Sequence, residues 1–147
     1  MVILPLYINV CIDIMMIMSI IRSVGGLIPG VGRCPGKERQ MKILTKAIEK
    51  SFLKNPLGSH DGEGDNAKVL LKIFNPYGAG TWLITEASKE GDDWMCFGCA
   101  EIGGDWEWGY MSLNELINAR VNIMGCRLPF ERDMYCKGMT VGELKAA

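Results

Sequence analysis

The stretch from Asp93 to Ile123 constrains the fold most, because it reads as strand, tight turn, strand and capped helix in succession. Aromatic and small apolar residues alternate on both sides of Gly103-Gly104, a dipeptide suited to a two-residue hairpin turn. Pairing backwards from this turn puts three pairs of residues opposite one another: Phe97 and Tyr110, Cys99 and Trp108, and Glu101 and Trp106. One face of the predicted hairpin is therefore mostly aromatic, and a register shift of one residue would exchange the two faces.

A helix is predicted directly after the hairpin. Ser112-Leu-Asn-Glu115 has the spacing of a capping box, in which the Ser112 hydroxyl accepts a hydrogen bond from the Glu115 amide. In return, the Glu115 carboxylate accepts from the Ser112 amide. The helix is expected to continue to about Ala119.

Four predicted strands follow one another with short links, which favours an antiparallel meander. They are Val69 to Phe74, Thr81 to Ala87, Asp93 to Ile102 and Asp105 to Ser112, with Glu131 to Cys136 as a candidate fifth strand at an edge. Short helices are predicted after Thr45, Ser112 and Thr140, and Val121 to Pro129 is expected to be irregular. The sequence predicts an α+β fold: an antiparallel meander of four to five strands with two or three short helices packed on it.

The first forty residues differ in composition from residues 41–147, for which a single α+β domain is predicted. Met1 to Ile21 is almost entirely apolar and long enough to span a membrane, but Asp13 would cost about 2.5–3.5 kcal/mol at the bilayer centre. Three interpretations of this hydrophobic extension remain open: translation from upstream of a true start at Met41, a membrane anchor, or an ordinary extension. The first is favoured, because glycines and prolines interrupt the chain just before a well-formed helix begins.

The charge of the chain argues against a general attraction to phosphate. The full sequence has a net charge of -1, and from Met41 onward 12 Lys and Arg stand against 15 Asp and Glu, a net charge of -3. The six cysteines do not form the dense framework of a small secreted protein. We therefore expect reduced thiols and a cytoplasmic location, with no membrane contact unless residues 1–21 belong to the native protein.

Two short motifs resemble metal sites incompletely. Cys96-Phe-Gly-Cys99 has the spacing of half a zinc site, but residues three apart in a strand point to opposite faces. Asp133 with Glu143-Leu-Lys145 imitates the acidic pattern of magnesium-dependent nucleases, although the last three residues fall in a predicted terminal helix. The sequence thus indicates no metal, no cofactor and no catalytic residue, and it leaves enzymatic activity uncertain and disfavoured.

The aromatic hairpin face is one candidate binding surface. Trp106, Trp108 and Tyr110, together with Phe97, could stack on single-stranded bases at about 1–3 kcal/mol each. Basic residues are missing around them, and acids such as Glu107 are the nearest charges. Burial of this face as the protein core is therefore the favoured interpretation.

A polar cluster is the second candidate, and it combines Glu131, Arg132 and Asp133 with Glu86 and Glu107. The guanidinium of Arg132 can bind a carboxylate at two points, and the expected partner is Glu107 or Glu86 on a neighbouring strand. The favoured interpretation is that this pair holds the last strand to the sheet. The alternative is that the cluster binds a ligand.

Several elements of the sequence occur in a characteristic order. They are Met41-Lys-Ile-Leu-Thr-Lys46, Lys72-x-Phe74-x-Pro76, Trp82-x-x-Thr-Glu86, Phe97-Gly98, Glu107-Trp-Gly-Tyr-x-Ser-Leu-x-Glu-Leu116 and Glu131-Arg-Asp-x-Tyr135. In this order they resemble the domain-of-unknown-function family 2958, small proteins found largely in bacteria, their plasmids and phages. The resemblance covers Met41 to about Leu144, supports Met41 as the start, and brings no catalytic residues with it.

The resemblance and the missing catalytic constellation together favour a non-enzymatic role. We expect a small accessory protein of a mobile element or bacterial host that acts by macromolecular binding, with a protein as its partner. The alternative is a single-stranded nucleic-acid binding protein or a metal-dependent nuclease, since some members of the family bear a single-strand DNA endonuclease label. The charge of the chain does not favour that alternative.

Overall fold

The computed structural model describes residues 41–147, so the hypotheses about residues 1–40 lie outside the described residues. The strands are β1 Leu71–Phe74, β2 Thr81–Glu90, β3 Asp93–Glu101, β4 Trp106–Ser112, β5 Arg120–Ile123, β6 Cys126–Pro129 and β7 Glu131–Asp133. The helices are α1 Lys46–Lys54, α2 Leu113–Asn118 and α3 Val141–Ala146, with a short 3-10 helix at Gly64–Asn66. Strands β4-β3-β2-β1-β7, in this order, form one antiparallel sheet, and β5 pairs with β6 in a separate hairpin. The predicted α+β fold is confirmed.

The central hairpin of β3 and β4 has the register that the sequence predicts. Phe97 lies opposite Tyr110, and the predicted pairs continue from there to the turn. At the turn, Gly103 and Gly104 have φ angles of 95° and 113°, a region that disfavours residues with a Cβ atom. The glycine pair therefore allows the tight reversal on which the register depends.

The main core lies on the sheet face opposite the aromatic residues of the hairpin. Helices α1 and α2 cover this face, and Phe52 of α1 contacts Trp94 with ring centroids 5.3 Å apart. Trp82 packs against Phe130 in the same core at 4.7 Å. Its buried members are Ile43, Phe52, Leu71, Ile73, Trp82, Ile84, Ala87, Trp94, Cys96, Ala100, Met111, Leu113, Leu116 and Phe130. The sequence favoured burial of the aromatic face as the protein core. This prediction is wrong for the main core, which lies on the opposite face of the sheet.

A smaller core covers part of the second sheet face. The C-terminal segment lies along Ala67 to Val69: the Val69 amide donates to the Met139 carbonyl at 2.9 Å, and the Val141 amide donates to the Ala67 carbonyl at 3.0 Å. These bonds place α3 over the sheet. The buried residues of this second core are Val69, Leu83, Cys99, Cys136, Val141 and Leu144.

A β-bulge in β2 decides which side chains face the second side of the sheet. The pairing between β2 and β3 shifts between Ile84 and Glu86, so Ile84 lies opposite Gly98 and Glu86 lies opposite Phe97. Cross-strand partners share a face, so the shift puts Glu86 on the face of Phe97 instead of in the main core. The extra residue, Thr85, donates its hydroxyl proton to the Phe97 carbonyl at 3.2 Å.

The helix ends follow the predicted caps, with one difference. Thr140 and Glu143 form a complete capping box at α3. At α2, the Ser112 hydroxyl accepts from the Glu115 amide at 3.2 Å, but it donates to the carboxylate of Asp93, which also accepts from the Asn114 amide at 2.9 Å. The predicted capping box at α2 is thus half right, and Asp93 ties the helix start to β3.

The segment predicted to be irregular is a second hairpin. Strands β5 and β6 are joined at Met124-Gly125, where the φ angles are 51° and 85°. A methionine with positive φ is uncommon, because its Cβ atom crowds the following carbonyl, so the sequence did not signal this turn.

Within residues 41–147, no helix is long and apolar enough to cross a membrane.

Candidate functional site

The aromatic face, defined as Phe97, Trp106, Trp108 and Tyr110, is the most distinctive surface of the sheet. The rings of Phe97 and Trp108 stack with centroids 5.8 Å apart, and Phe97 meets Tyr110 at 5.0 Å in a tilted arrangement. All four residues are half-buried, so each presents part of its ring to solvent. Rigid aromatic rings that are neither buried nor fully exposed are typical of binding surfaces.

A lysine from α3 lies against this face. The Nζ atom of Lys145 is 5.9 Å from the ring centroid of Trp106 and 5.3 Å from that of Trp108. The same Nζ atom lies 2.6 Å from Oδ1 of Asp65, on the 3-10 helix. Although partial burial lowers the pKa of Lys145, its hydrogen bond to Asp65 and the nearby acidic groups raise that pKa above its ordinary value. Lys145 is therefore a cation whose charge Asp65 already neutralises.

Glu86 anchors the loop that precedes β1. The residue is 3% exposed, and its two carboxylate oxygens accept from the backbone amides of Gly58 at 2.7 Å and His60 at 2.5 Å. The same loop makes a second contact with β2, in which the Leu57 amide donates to the Ser88 hydroxyl at 3.0 Å. Each oxygen of this buried carboxylate accepts a hydrogen bond from an amide. Glu86 therefore holds the loop in place and is not available to a ligand.

His60 belongs to the same loop and is half-buried, in contrast to the expected solvated side chain. Its Nδ1 atom lies 3.0 Å from a carboxylate oxygen of Glu63, and its Nε2 atom lies 3.0 Å from the amide oxygen of Asn55. The Asn55 amide nitrogen in turn donates to the Ser51 carbonyl at 2.8 Å. These contacts link the loop to the end of α1.

The expectation of reduced thiols is wrong for Cys126, which is disulfide-bonded, whereas Cys96, Cys99 and Cys136 are free. The three free thiols are poor nucleophiles. Cys96 lies in the main core, where burial and the nearby Asp93 raise its pKa to about 12. Cys99 lies in the second core, where burial raises its pKa although Lys145 acts in the opposite direction. Burial also raises the pKa of Cys136.

Cys96 and Cys99 face opposite sides of the sheet and cannot bind one ion together. Within residues 41–147, no three His, Cys, Asp or Glu side chains are grouped to hold a metal ion.

The polar cluster predicted around Arg132 is not assembled. Arg132 is on β7 and Glu107 is on β4, and these strands are the two opposite edges of the five-stranded sheet. Glu86 uses its carboxylate for the backbone amides of the loop. The expected pairing of Arg132 with Glu107 or Glu86 is wrong, because β7 pairs with β1 and not with β2 or β4.

Arg132 has an incomplete set of partners instead. It lies opposite Ile73, and its Nη1 atom donates to the Ile43 carbonyl at 3.5 Å, the long limit for a hydrogen bond. Its Nε atom is buried and is the one buried side-chain nitrogen or oxygen in the described part of the chain without a partner. The ion pair of β7 is made by the next residue, since Asp133 contacts Lys72 of β1 at 3.1 Å.

The predicted site residues therefore divide into three groups. Trp106, Trp108 and Tyr110 share the second sheet face, and Glu86 shares it beneath its loop. Glu107 projects to the opposite side at the edge of β4, while Glu131, Arg132 and Asp133 lie on the far edge strand. Sequence reasoning missed the contribution of Lys145 and Asp65, because their contact joins segments 80 residues apart and has no local pattern.

The fold and this surface define a small α+β domain that presents aromatic side chains on a half-covered antiparallel sheet. The chain belongs to the family described as protein of unknown function (DUF2958), whose model matches residues 43–141. Comparison with curated proteins and with solved structures finds no significant match.

Proposed function

We propose that the chain is a small accessory protein of a mobile element or its bacterial host, and that it acts in the cytoplasm by binding another protein through its aromatic face. The observation that carries this proposal is the half-buried cluster of Trp106, Trp108 and Tyr110 around Phe97. Tyrosine and tryptophan supply large contact areas at a small cost in side-chain entropy, and they dominate the binding energy of protein interfaces. The mobile-element setting is supported by the sequence resemblance alone.

A protein partner is favoured over single-stranded nucleic acid by the charges at the face. Glu101 lies directly opposite Trp106, and Asp105 precedes it at the turn. Lys145, the cation that contacts the two tryptophans, is paired with Asp65. Proteins that stack bases combine their aromatic rings with a positive groove that follows the phosphates, and this surface is acidic instead.

The proposal is tested by capturing partners from the native host with the full chain carrying a tag. Three forms are compared: wild type, Trp108→Ala and Tyr77→Ala. Tyr77 is the matched control, because it is an aromatic residue that is 42% exposed and belongs to the turn between β1 and β2, not to the aromatic face. Circular dichroism of all three forms checks that each is folded.

We expect a protein that wild type and Tyr77→Ala capture and that Trp108→Ala does not. With the captured protein purified, titration calorimetry should show stoichiometric binding that weakens at least 30-fold in Trp108→Ala, in line with the roughly 2 kcal/mol or more typical of an interface hot spot. Equal capture by all three forms would refute the proposal. So would tight binding of an oligothymidine by wild type, measured by fluorescence anisotropy, together with its loss in Trp108→Ala.

A further inference from the structure

Five half-exposed side chains form a continuous row across the second face of the sheet. Residues directly opposite one another in adjacent antiparallel strands share a face. From β7 to β4 the members of this cross-strand row, each paired with the next, are Glu131, Phe74, Thr81, Glu101 and Trp106. None of the five is buried and none is fully exposed. The row starts at Trp106 of the aromatic face and ends at the opposite edge strand.

The neighbouring row on the same face is covered. Two residues further into β2 and β3, Leu83 lies opposite Cys99, and both are fully buried in the second core under the C-terminal segment. At the equivalent positions of the cross-strand row, Thr81 and Glu101 are half-exposed. The C-terminal segment thus covers one row and leaves the other accessible.

The two aromatic members give the cross-strand row its apolar contact area. Phe74 belongs to neither core of the described residues, and Trp106 packs against the second core with part of its surface exposed. The electronegative faces of such rings attract cations. One cation is already there, since the Nζ atom of Lys145 lies 5.9 Å from the ring centroid of Trp106.

Three carboxylates make the cross-strand row acidic. Glu101 and Glu131 are members of it, and Asp105 is exposed directly before Trp106. Within residues 41–147, none of these three carboxylates forms an ion pair. Their negative charges are therefore available to a partner.

Lysines on the same face do not compensate for these charges. Lys72 is paired with Asp133 at 3.1 Å, and Lys145 is paired with Asp65 at 2.6 Å. Arg132 lies opposite a residue of the main core, so it is directed to the other side of the sheet. Charge complementarity at the cross-strand row therefore favours a basic occupant.

The separation of the two glutamates determines the spacing of that occupant's charges. Three strand intervals lie between Glu131 and Glu101, about 14 Å at the usual distance between neighbouring strands. An extended chain covers this distance in about four residues, and its alternate side chains point the same way. Two basic residues four positions apart can thus reach both glutamates, and the residue midway between them lies over Phe74 and Thr81.

A second copy of this chain fits the cross-strand row poorly. From Met41 onward the chain has 12 Lys and Arg against 15 Asp and Glu, so a second copy brings the same sign of charge. Like charges brought together at an interface cost several kcal/mol. The charge of the row thus selects a basic segment of another protein.

We infer that the cross-strand row binds an extended basic segment of the partner protein. Lys or Arg side chains of the segment contact Glu101 and Glu131, and an apolar side chain between them packs on Phe74. This inference rests on the proposed function, because it specifies the partner that is recognised at Trp106 and along the row.

The experiment is a selection of displayed random 12-residue peptides on the full chain, followed by fluorescence anisotropy of the synthesised peptides. We expect the selected peptides to carry two basic residues four positions apart, with an apolar residue midway between them. Moving one basic residue by a single position should weaken binding at least tenfold, because it turns that side chain to the other side of the extended peptide. The moved peptide keeps its net charge, so it controls for general electrostatic attraction.

Substitutions in the chain test where the peptides bind. Glu101→Gln and Glu131→Gln should each weaken binding at least fivefold, and glutamine keeps the oxygen with which Glu101 accepts from the Gly104 amide. Glu90→Gln is the matched control, because Glu90 is an exposed acid at the other end of β2, and it should bind as wild type does. Melting temperatures check that every variant is folded.

The outcomes separate this inference from the proposed function. Selected peptides without basic residues, whose binding falls in Trp108→Ala but in neither glutamate variant, would overturn the inference and leave the proposed function standing. Peptides that bind equally well to Trp108→Ala and to both glutamate variants would overturn both. A selection that enriches no sequence would also overturn the inference, and the capture of partners from the native host then tests the proposed function by itself.

Discussion

The Nζ atom of Lys145 lies 2.6 Å from Oδ1 of Asp65, and this contact joins the C-terminal helix α3 to the 3-10 helix that precedes β1. The same ammonium group lies over Trp106 and Trp108. One ion pair thus links the covering segments of the second sheet face to the aromatic face. The ion pair therefore lies beside both of the tryptophan rings that we assign to partner binding.

Replacing Lys145 by Met should change binding more than stability. Both partners of the ion pair are partly exposed, with 20% of the Lys145 side chain and 57% of the Asp65 side chain accessible, so the free energy of unfolding should fall by less than about 1 kcal/mol. Partner affinity should fall at least fivefold, because the tryptophan rings lose their cation contact. Urea denaturation and calorimetry measure the two effects, with exposed Lys137→Met as the control. A large loss of stability with unchanged affinity would contradict this account.

Asp133 should make the stability depend on pH in the acidic range. Partial burial raises its pKa, but the amide of Tyr135, 2.7 Å away, and the ammonium of Lys72 lower it more, to below its ordinary value of 3.8. A carboxyl whose pKa is lower in the folded state stabilises the protein above its unfolded pKa, and this contribution is lost as the pH falls through the folded pKa.

The measurement is the difference in unfolding free energy between wild type and Asp133→Asn as a function of pH. It should be about 0.5–1 kcal/mol at pH 6 and shrink towards zero as the pH falls below 3.8. The control is Asp61→Asn, since Asp61 is exposed in the loop before β1 and should show no such difference. A constant difference from pH 6 to pH 2 would refute the assignment.

Gly98 is required for the close contact between β2 and β3. A Cβ atom at this position would lie 1.9 Å from the Leu83 carbonyl oxygen, a backbone atom that cannot move aside. Gly98→Ala should therefore destabilise the protein by about 3 kcal/mol or more, or prevent folding. Gly78→Ala is the control, because the added Cβ atom would have a nearest contact of 3.4 Å to a side chain. Equal melting temperatures for the two variants would contradict the close approach.

Arg132 should be replaceable without loss of stability. Its buried Nε atom has no partner within residues 41–147, and an unsatisfied buried donor costs about 1–3 kcal/mol. Arg132→Met keeps most of the apolar stem and removes that cost, so the melting temperature should stay the same or rise. Glu131→Gln, on the same strand, is the comparison. A fall of more than 5 °C in Arg132→Met would show that the guanidinium stabilises the fold despite its missing partner.

Local chemistry made the central hairpin predictable. The turn at Gly103-Gly104 and the alternation on either side determine the register, and both are properties of adjacent residues. The helix at Thr140 follows from a capping box four residues long. Each of these elements is encoded within about twenty residues, which is why the sequence sufficed to place them.

The choice of the buried face was not predictable in the same way. It depends on the bulge at Thr85 and on where the C-terminal segment packs, and neither has a local pattern. For the same reason the pairing of β7 with β1 was missed, and Arg132 was assigned to partners on the wrong strands. Within the candidate site, the tryptophans were identified from sequence, whereas Lys145 and Asp65 come together only through the fold.

The four tryptophans of the chain provide the most direct test of the aromatic face as the binding surface. Trp82 and Trp94 lie in the main core, and Trp106 and Trp108 lie on the opposite face, so each pair is an internal control for the other. The full chain labelled with 5-fluorotryptophan gives one fluorine NMR signal for each residue, assigned with single Trp→Phe variants. On addition of the purified captured partner, the signals of Trp106 and Trp108 should shift while those of Trp82 and Trp94 stay in place. Binding of the partner without a shift at Trp106 or Trp108 would contradict the account.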